Sequence, residues 1–343
     1  MHRLQLFLLL AALPAAGFLY QWAGARRDKK RLLPHGTLFD VGEGRRMYLS
    51  QAGAGYPTVI FESGIAATSQ NWAHLQESVS SIARTVTYDR AGLGWSGPCA
   101  SDRTPSNIVR ELRALLRHAG IPPPYILVGH SFGGLVVQRF AAEHASEVLG
   151  LVLIDPMRPE DWQPMSDAQR AELERGLRLT RIAIPSAHLG LARLAATSLL
   201  CNSGKISGTI GRATGAGGRH VLDRVTSEVG KMPKRVRPIV AAHWSNPGFY
   251  RGLAAHLNAL PASIREMLAT KPIENIPVLL LTPASTGQLS YERLSRIGQA
   301  TQQVLAEKSG HWIHLDEPDL VAGAVRSMIE LARTNIEAIR HTS

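Results

Sequence analysis

Residues 129 to 133 read Gly-His-Ser-Phe-Gly, a hydroxyl set between two glycines. The apolar run "YILVG" precedes it and the helix-like "SFGGLVVQRFAAEH" follows it. This is the G-x-S-x-G pattern in the strand, turn and helix context it requires. An abrupt turn strains the backbone at the serine, excludes bulky neighbours and pushes the hydroxyl out at the end of a sheet. Ser131 is therefore a candidate nucleophile, and Phe132 a candidate source of a backbone N–H for the oxyanion formed in acyl transfer. A serine hydroxyl also needs a base, and the base needs a partner to orient it. The late segment "KSGHWIHLDEPDLV" offers His311, directly after the loop glycine, with His314 as the alternative.

The elements that must position these groups alternate along the chain. "TVIFE" (58–62), "TVTYD" (85–89), "YILVG" (125–129), "GLVLID" (150–155), "IPVLLLT" (276–282) and "QQVLAE" (302–307) read as strands. Between and after them lie the helix-like stretches 71–83, 105–120, 131–144 and 317–336. Two short β-type runs around Gly42 to Arg46 suggest an antiparallel hairpin in front. Apolar strands alternating with helices predict a mostly parallel sheet covered on both faces. The alternation lapses between Pro156 and Ile276, where the text is helix-like with Gly-rich breaks such as "GRATGAGGRH". That stretch is expected to be a helical cap over the strand ends. The implied organisation is a leading segment 1–31, a core in two parts (32–155 and 276–343), and the cap 156–275.

Composition fits a globular α/β chain of 343 residues, 45% hydrophobic and 19% charged. Cys99 and Cys201 are far apart and form no CxxC pair, and the histidines lack metal-ligand spacing, so no cofactor and no metal are expected. The net charge of +11 is diffuse and accompanies no nucleic-acid motif. "GLGWSG" (92–97) matches a dinucleotide fingerprint, but Pro98 follows at once and no helix opens there. Leu4 to Ala25 carry no charge, and the cluster Arg26, Arg27, Lys29, Lys30 and Arg31 follows. This reads as a single-pass N-terminal membrane anchor, with a cleaved signal peptide and secretion as the alternative.

Taken in order, "FESGIAATSQNW", "YDRAGLGWSG", "GHSFGG", "LVLIDP" and "SGHWIHLDEPDLV" resemble the α/β-hydrolase fold family over roughly residues 37 to 335. The resemblance implies an eight-stranded, mostly parallel sheet and a triad in the order serine, acid, histidine. It also implies that the residue after Gly64, Ile65, supplies the second oxyanion N–H. Most relatives carry the acid after the strand matching "IPVLLLT", but here "PASTGQLSYE" offers no carboxylate before Glu292. Some relatives place it one strand earlier, at the position of Asp155, and Asp155 is preferred over Glu292. By the same resemblance Asp89 and Arg90 fix a loop. The expected activity is cofactor-independent hydrolysis of an ester or related acyl bond of an apolar small-molecule substrate. An acyltransferase with the same triad, or a non-catalytic binding protein on this fold, stands as the alternative.

Overall fold

The computed structural model describes residues 2–42, 44–201 and 228–342, with side chains described from residue 12 to 198 and from 228 to 338. Eight strands form one sheet: β1 (Thr37–Asp40), β2 (Arg46–Ala52), β3 (Thr58–Glu62), β4 (Arg84–Tyr88), β5 (Tyr125–His130), β6 (Val148–Ile154), β7 (Val278–Pro283) and β8 (Thr301–Ala306). Their order is β1-β2-β4-β3-β5-β6-β7-β8. The β1–β2 and β2–β4 pairs are antiparallel and every other pair is parallel. This is the expected α/β-hydrolase sheet, hairpin included.

The apolar strands are continuous because both faces are covered. Side chains alternate across a strand, so Val59, Phe61, Ile126, Val128, Val152 and Ile154 share one core with Leu75, Val325 and Met328. The last three lie on α2 (Ala73–Val79) and on the closing helix Pro318–Thr342. Ile60, Leu127, Leu151 and Leu153 face the other core, with Ile108 and Leu112 of α3 (Pro105–His118) and Leu135 and Val136 of α4 (Phe132–Glu143). The helix expected over 71–83 is shorter than its sequence suggests. It begins as a 3₁₀ turn (Ser69–Trp72) capped by Thr68 and stops at Val79, after which Ser80 and Ser81 turn their hydroxyls back onto the carbonyls of Glu77 and Ser78.

Between β6 and β7 the described residues are helical: α5 (Asp167–His188), α6 (Leu191–Cys201), α7 (Arg237–Trp244) and α8 (Pro247–Leu268). The segment 211–220 singled out in the sequence lies outside the described residues. α8 crosses the loop after β4 so closely that a Cβ at Gly252 would fall 2.3 Å from the Gly92 carbonyl oxygen. The insertion thus sits at the carboxyl end of the strands, where open α/β sheets hold their ligands.

The leading segment forms α1 (His2–Arg31). Among the described residues no helix is long and apolar enough to cross a membrane, so the expected anchor gains no support as a span. The side chains of residues 1–11, part of that expectation, lie outside the described set. The second half of α1 packs instead against the insertion through polar contacts, with Gln21 donating to the Ser245 carbonyl at 2.8 Å.

Candidate active site

Ser131 occupies the corner between β5 and α4 with φ 55° and ψ −120°, a conformation that side chains seldom adopt. Close packing around the corner holds it. A Cβ at Gly133 would lie 2.5 Å from the Glu62 carbonyl oxygen, and one at Gly129 2.7 Å from the Gly133 carbonyl oxygen. The Ser131 N–H donates to the Ile154 carbonyl at 3.0 Å, and the Ser131 carbonyl accepts from Gly134 at 3.0 Å and Met157 at 3.1 Å. The corner is therefore tied to both sides of the β6 end.

Asp155 follows β6 and is itself at positive φ, 38°. Its N–H donates to the Leu281 carbonyl of β7 at 2.7 Å, and its Oδ2 lies 2.7 Å from His311 Nδ1. Both side chains are 27% exposed, so the pair sits at an opening rather than in the core. The loop that carries His311 is held in turn by His130, whose Nε2 lies 2.9 Å from the His311 carbonyl oxygen. The His130 ring also packs against His311, Trp312 and His314, with centroids 4.6, 5.0 and 4.4 Å away. His130 thus packs and hydrogen-bonds next to the pair.

The two alternatives stand elsewhere. Glu292 lies on the short helix Tyr291–Ile297, exposed, and pairs with Arg296 at 2.7 Å. His314 is buried between Trp72 and His130, and burial foremost, with His311 and Lys231 adding to it, pushes its pKa down to about 3. It is a neutral packing ring. Trp72 is likewise core, its indole N–H donating to Ser63 Oγ at 2.9 Å.

The two candidate oxyanion donors flank Ser131. Phe132 begins α4, so its N–H has no partner within the helix. Ile65 lies in the loop after β3, and the loop passes close to the corner: a Cβ at Gly64 would sit 3.5 Å from Ser131 Cβ and 3.1 Å from His130 Nδ1. Among the described residues no backbone carbonyl takes up either N–H. Arg90, buried, grips this loop from below. It donates to the Ser63 carbonyl, to the Gly64 carbonyl at 3.4 Å and to Glu62 Oε1 at 2.8 Å, while Tyr88 donates to Glu62 Oε2. Its guanidinium also sits 5.2 Å from the Phe132 ring centroid.

Sequence reading gave Arg90 a loop-fixing role but left out Glu62, which reads as the polar end of a strand. A carboxylate closing the fully apolar "TVIF" run was the available signal, because such a residue needs a cationic partner when buried. Asp89 fixes the neighbouring loop, accepting from the Ser69 N–H at 2.8 Å and the Trp95 N–H at 2.9 Å. Complete burial raises its pKa to about 6 against those two bonds. Among the described residues no group of three or more His, Cys, Asp or Glu side chains could hold a metal ion.

Comparison with known proteins agrees with this architecture. A family model for the alpha/beta hydrolase fold matches residues 57–206. The chain is 37% identical over 99 residues to the uncharacterized protein YqjL of Bacillus subtilis, a match covering 29% of this chain and 39% of YqjL. The Cif epoxide hydrolase from Acinetobacter nosocomialis superposes with a TM-score of 0.66 at 15% identity, over 92% of this chain and 96% of that one. An esterase from Exiguobacterium antarcticum superposes with a TM-score of 0.61 at 15% identity, over 86% and 99% of the two chains. The chain has the α/β-hydrolase fold.

Proposed function

We propose that the protein is a serine hydrolase that cleaves an ester or related acyl bond through Ser131, His311 and Asp155. The observation that carries this reading is the 2.7 Å contact between Asp155 Oδ2 and His311 Nδ1, beside a serine held at φ 55°. Asp155 keeps the proton on Nδ1, which leaves Nε2 free to act as the base. Ser131 Oγ attacks the acyl carbon while its proton passes to Nε2, and the carbonyl oxygen becomes an oxyanion that accepts from the Ile65 and Phe132 N–H groups. Collapse of this intermediate breaks the bond to the leaving alcohol, which takes the proton from Nε2. Water then gives a proton to Nε2 and attacks the acyl-enzyme. Collapse of the second tetrahedral intermediate breaks the bond to Ser131 Oγ, which takes that proton from Nε2, and releases the acid.

Arg90 is a positioning residue in this scheme: it holds the Ser63 and Gly64 carbonyls on one side of the oxyanion site and rests against the Phe132 ring on the other. The helical insertion would serve as a cap that selects the acyl group. The test is labelling by a fluorophosphonate together with hydrolysis of p-nitrophenyl esters of increasing chain length. Covalent modification at Ser131 and turnover that both vanish in Ser131→Ala support the reading. A folded protein that neither reacts nor turns over any ester removes it.

A further inference from the structure

α1 is docked on the insertion through Gln21 and Asp28. Gln21 donates to the Ser245 carbonyl, and buried Arg193 donates to Gln21 Oε1 at 2.9 Å and to Asp28 Oδ2 at 2.6 Å. A Cβ at Gly17 would fall 2.4 Å from the Leu189 carbonyl oxygen, so the two backbones touch there. Gln21 and Asp28 are thus satisfied inward, while apolar side chains of the helix point to water. Leu13 is 74% exposed, Phe18 53% and Leu19 60%. The insertion continues the apolar surface. Tyr20 lies against Gly190, and just beyond it Leu191 and Leu194, one turn apart on α6, are 55% and 51% exposed.

A monomer in water seldom leaves so many large apolar side chains together outside. The charge beside them says what covers them. The last two turns of α1 carry Arg26, Arg27, Lys29, Lys30 and Arg31, and the Arg26 guanidinium lies 3.8 Å from the Trp22 ring centroid. Apolar side chains ending in a cationic collar match the acyl boundary and the headgroups of a negatively charged bilayer. We propose that α1 and α6 together form a face that docks on an anionic lipid surface, with the insertion itself touching lipid. This proposal is independent of the catalytic reading, because it involves none of the residues around Ser131.

The test is co-sedimentation of the full chain with vesicles of phosphatidylcholine, alone or mixed with phosphatidylglycerol, over a salt series. The expected result is binding to the mixed vesicles that weakens as salt rises. Leu191→Glu combined with Leu194→Glu alters only the insertion and should lower partitioning about tenfold or more. Arg26→Gln combined with Arg27→Gln and Lys30→Gln should remove the preference for the anionic lipid and flatten the salt dependence. Thermal unfolding of each variant verifies that it is folded. Undiminished binding of the folded leucine variant would mean that α1 alone carries the interaction and would overturn the proposal. So would failure of the wild-type chain to bind the mixed vesicles.

Discussion

The carboxyl ends of β6 and β7 are neighbours in the sheet, yet the backbone treats them differently. After β6 the chain turns through Asp155 at φ 38°, a strained conformation fixed by the bond to the Leu281 carbonyl, and the carboxylate reaches His311. After β7 it leaves through Pro283 at φ −57° into a short turn, Ala284–Thr286, that holds no carboxylate. Thr282 there accepts from Gln303 instead. Strain is kept at the strand end that has a chemical partner and is absent from the one that has none. The contrast teaches that a carboxylate reaches the histidine loop from the β6 end and that none stands in the turn after β7.

The largest effect that would break this contrast is loss of the histidine. His311→Ala should lower kcat for an ester by about 10⁴-fold or more. His314→Ala should leave kcat within a few-fold and instead lower the denaturation midpoint, because it empties a buried, stacked site. If the two phenotypes were exchanged, the base would be misassigned. A sharper test moves the acid: Ala284→Asp introduced into an Asp155→Asn background puts a carboxylate at the β7 end. Recovery of about tenfold or more in kcat over the single variant would show that the two ends are interchangeable.

A smaller effect is expected at the oxyanion loop. Arg90→Lys keeps the charge but not the fork that reaches the Glu62, Ser63 and Gly64 oxygens. It should reduce kcat by about 10- to 100-fold with KM little changed, and weaken a boronic acid inhibitor in parallel. A change confined to the denaturation midpoint would make Arg90 purely structural. At the small end, Glu292→Gln should leave ester hydrolysis unchanged, since Glu292 is exposed and pairs with Arg296 on the surface.

Acid stability follows from the buried rings. Burial lowers the pKa of His243 to about 4 and of His314 to about 3, and that of His256 well below its ordinary value. All three stay neutral when folded, whereas the unfolded chain protonates them below about 6.5, so stability falls as pH drops below that value. Asp89, raised to about 6, acts in the opposite sense between that value and its unfolded pKa, but it is one group against three. The urea midpoint should therefore decrease between pH 6.5 and pH 4. A midpoint that rises over this interval would contradict the burial of these rings.

Much of this was legible in the sequence because parallel strands bury both faces and so read as unbroken apolar runs, and because a strained serine corner demands glycines at fixed offsets. The carboxylate that meets His311 was legible only indirectly, from the lack of a carboxylate after "IPVLLLT" and from the position that some relatives use instead. The grip of Arg90 on Glu62 and the Ser63 carbonyl joins residues on different strands, and one chain read in order shows no such pairing. The docking of α1 was hidden for a similar reason. An apolar run with a basic end gives no sign that Gln21 and Asp28 bind Arg193, far along the chain.

The most direct measurement of the central claim is kcat for a p-nitrophenyl ester in wild-type protein and in Asp155→Asn, each shown to unfold at a similar urea concentration. A loss of about 10⁴-fold is predicted, because the amide no longer holds His311 in the tautomer that accepts the Ser131 proton. An unchanged kcat would contradict the assignment of Asp155 as the acid and, with it, the contrast between the two strand ends.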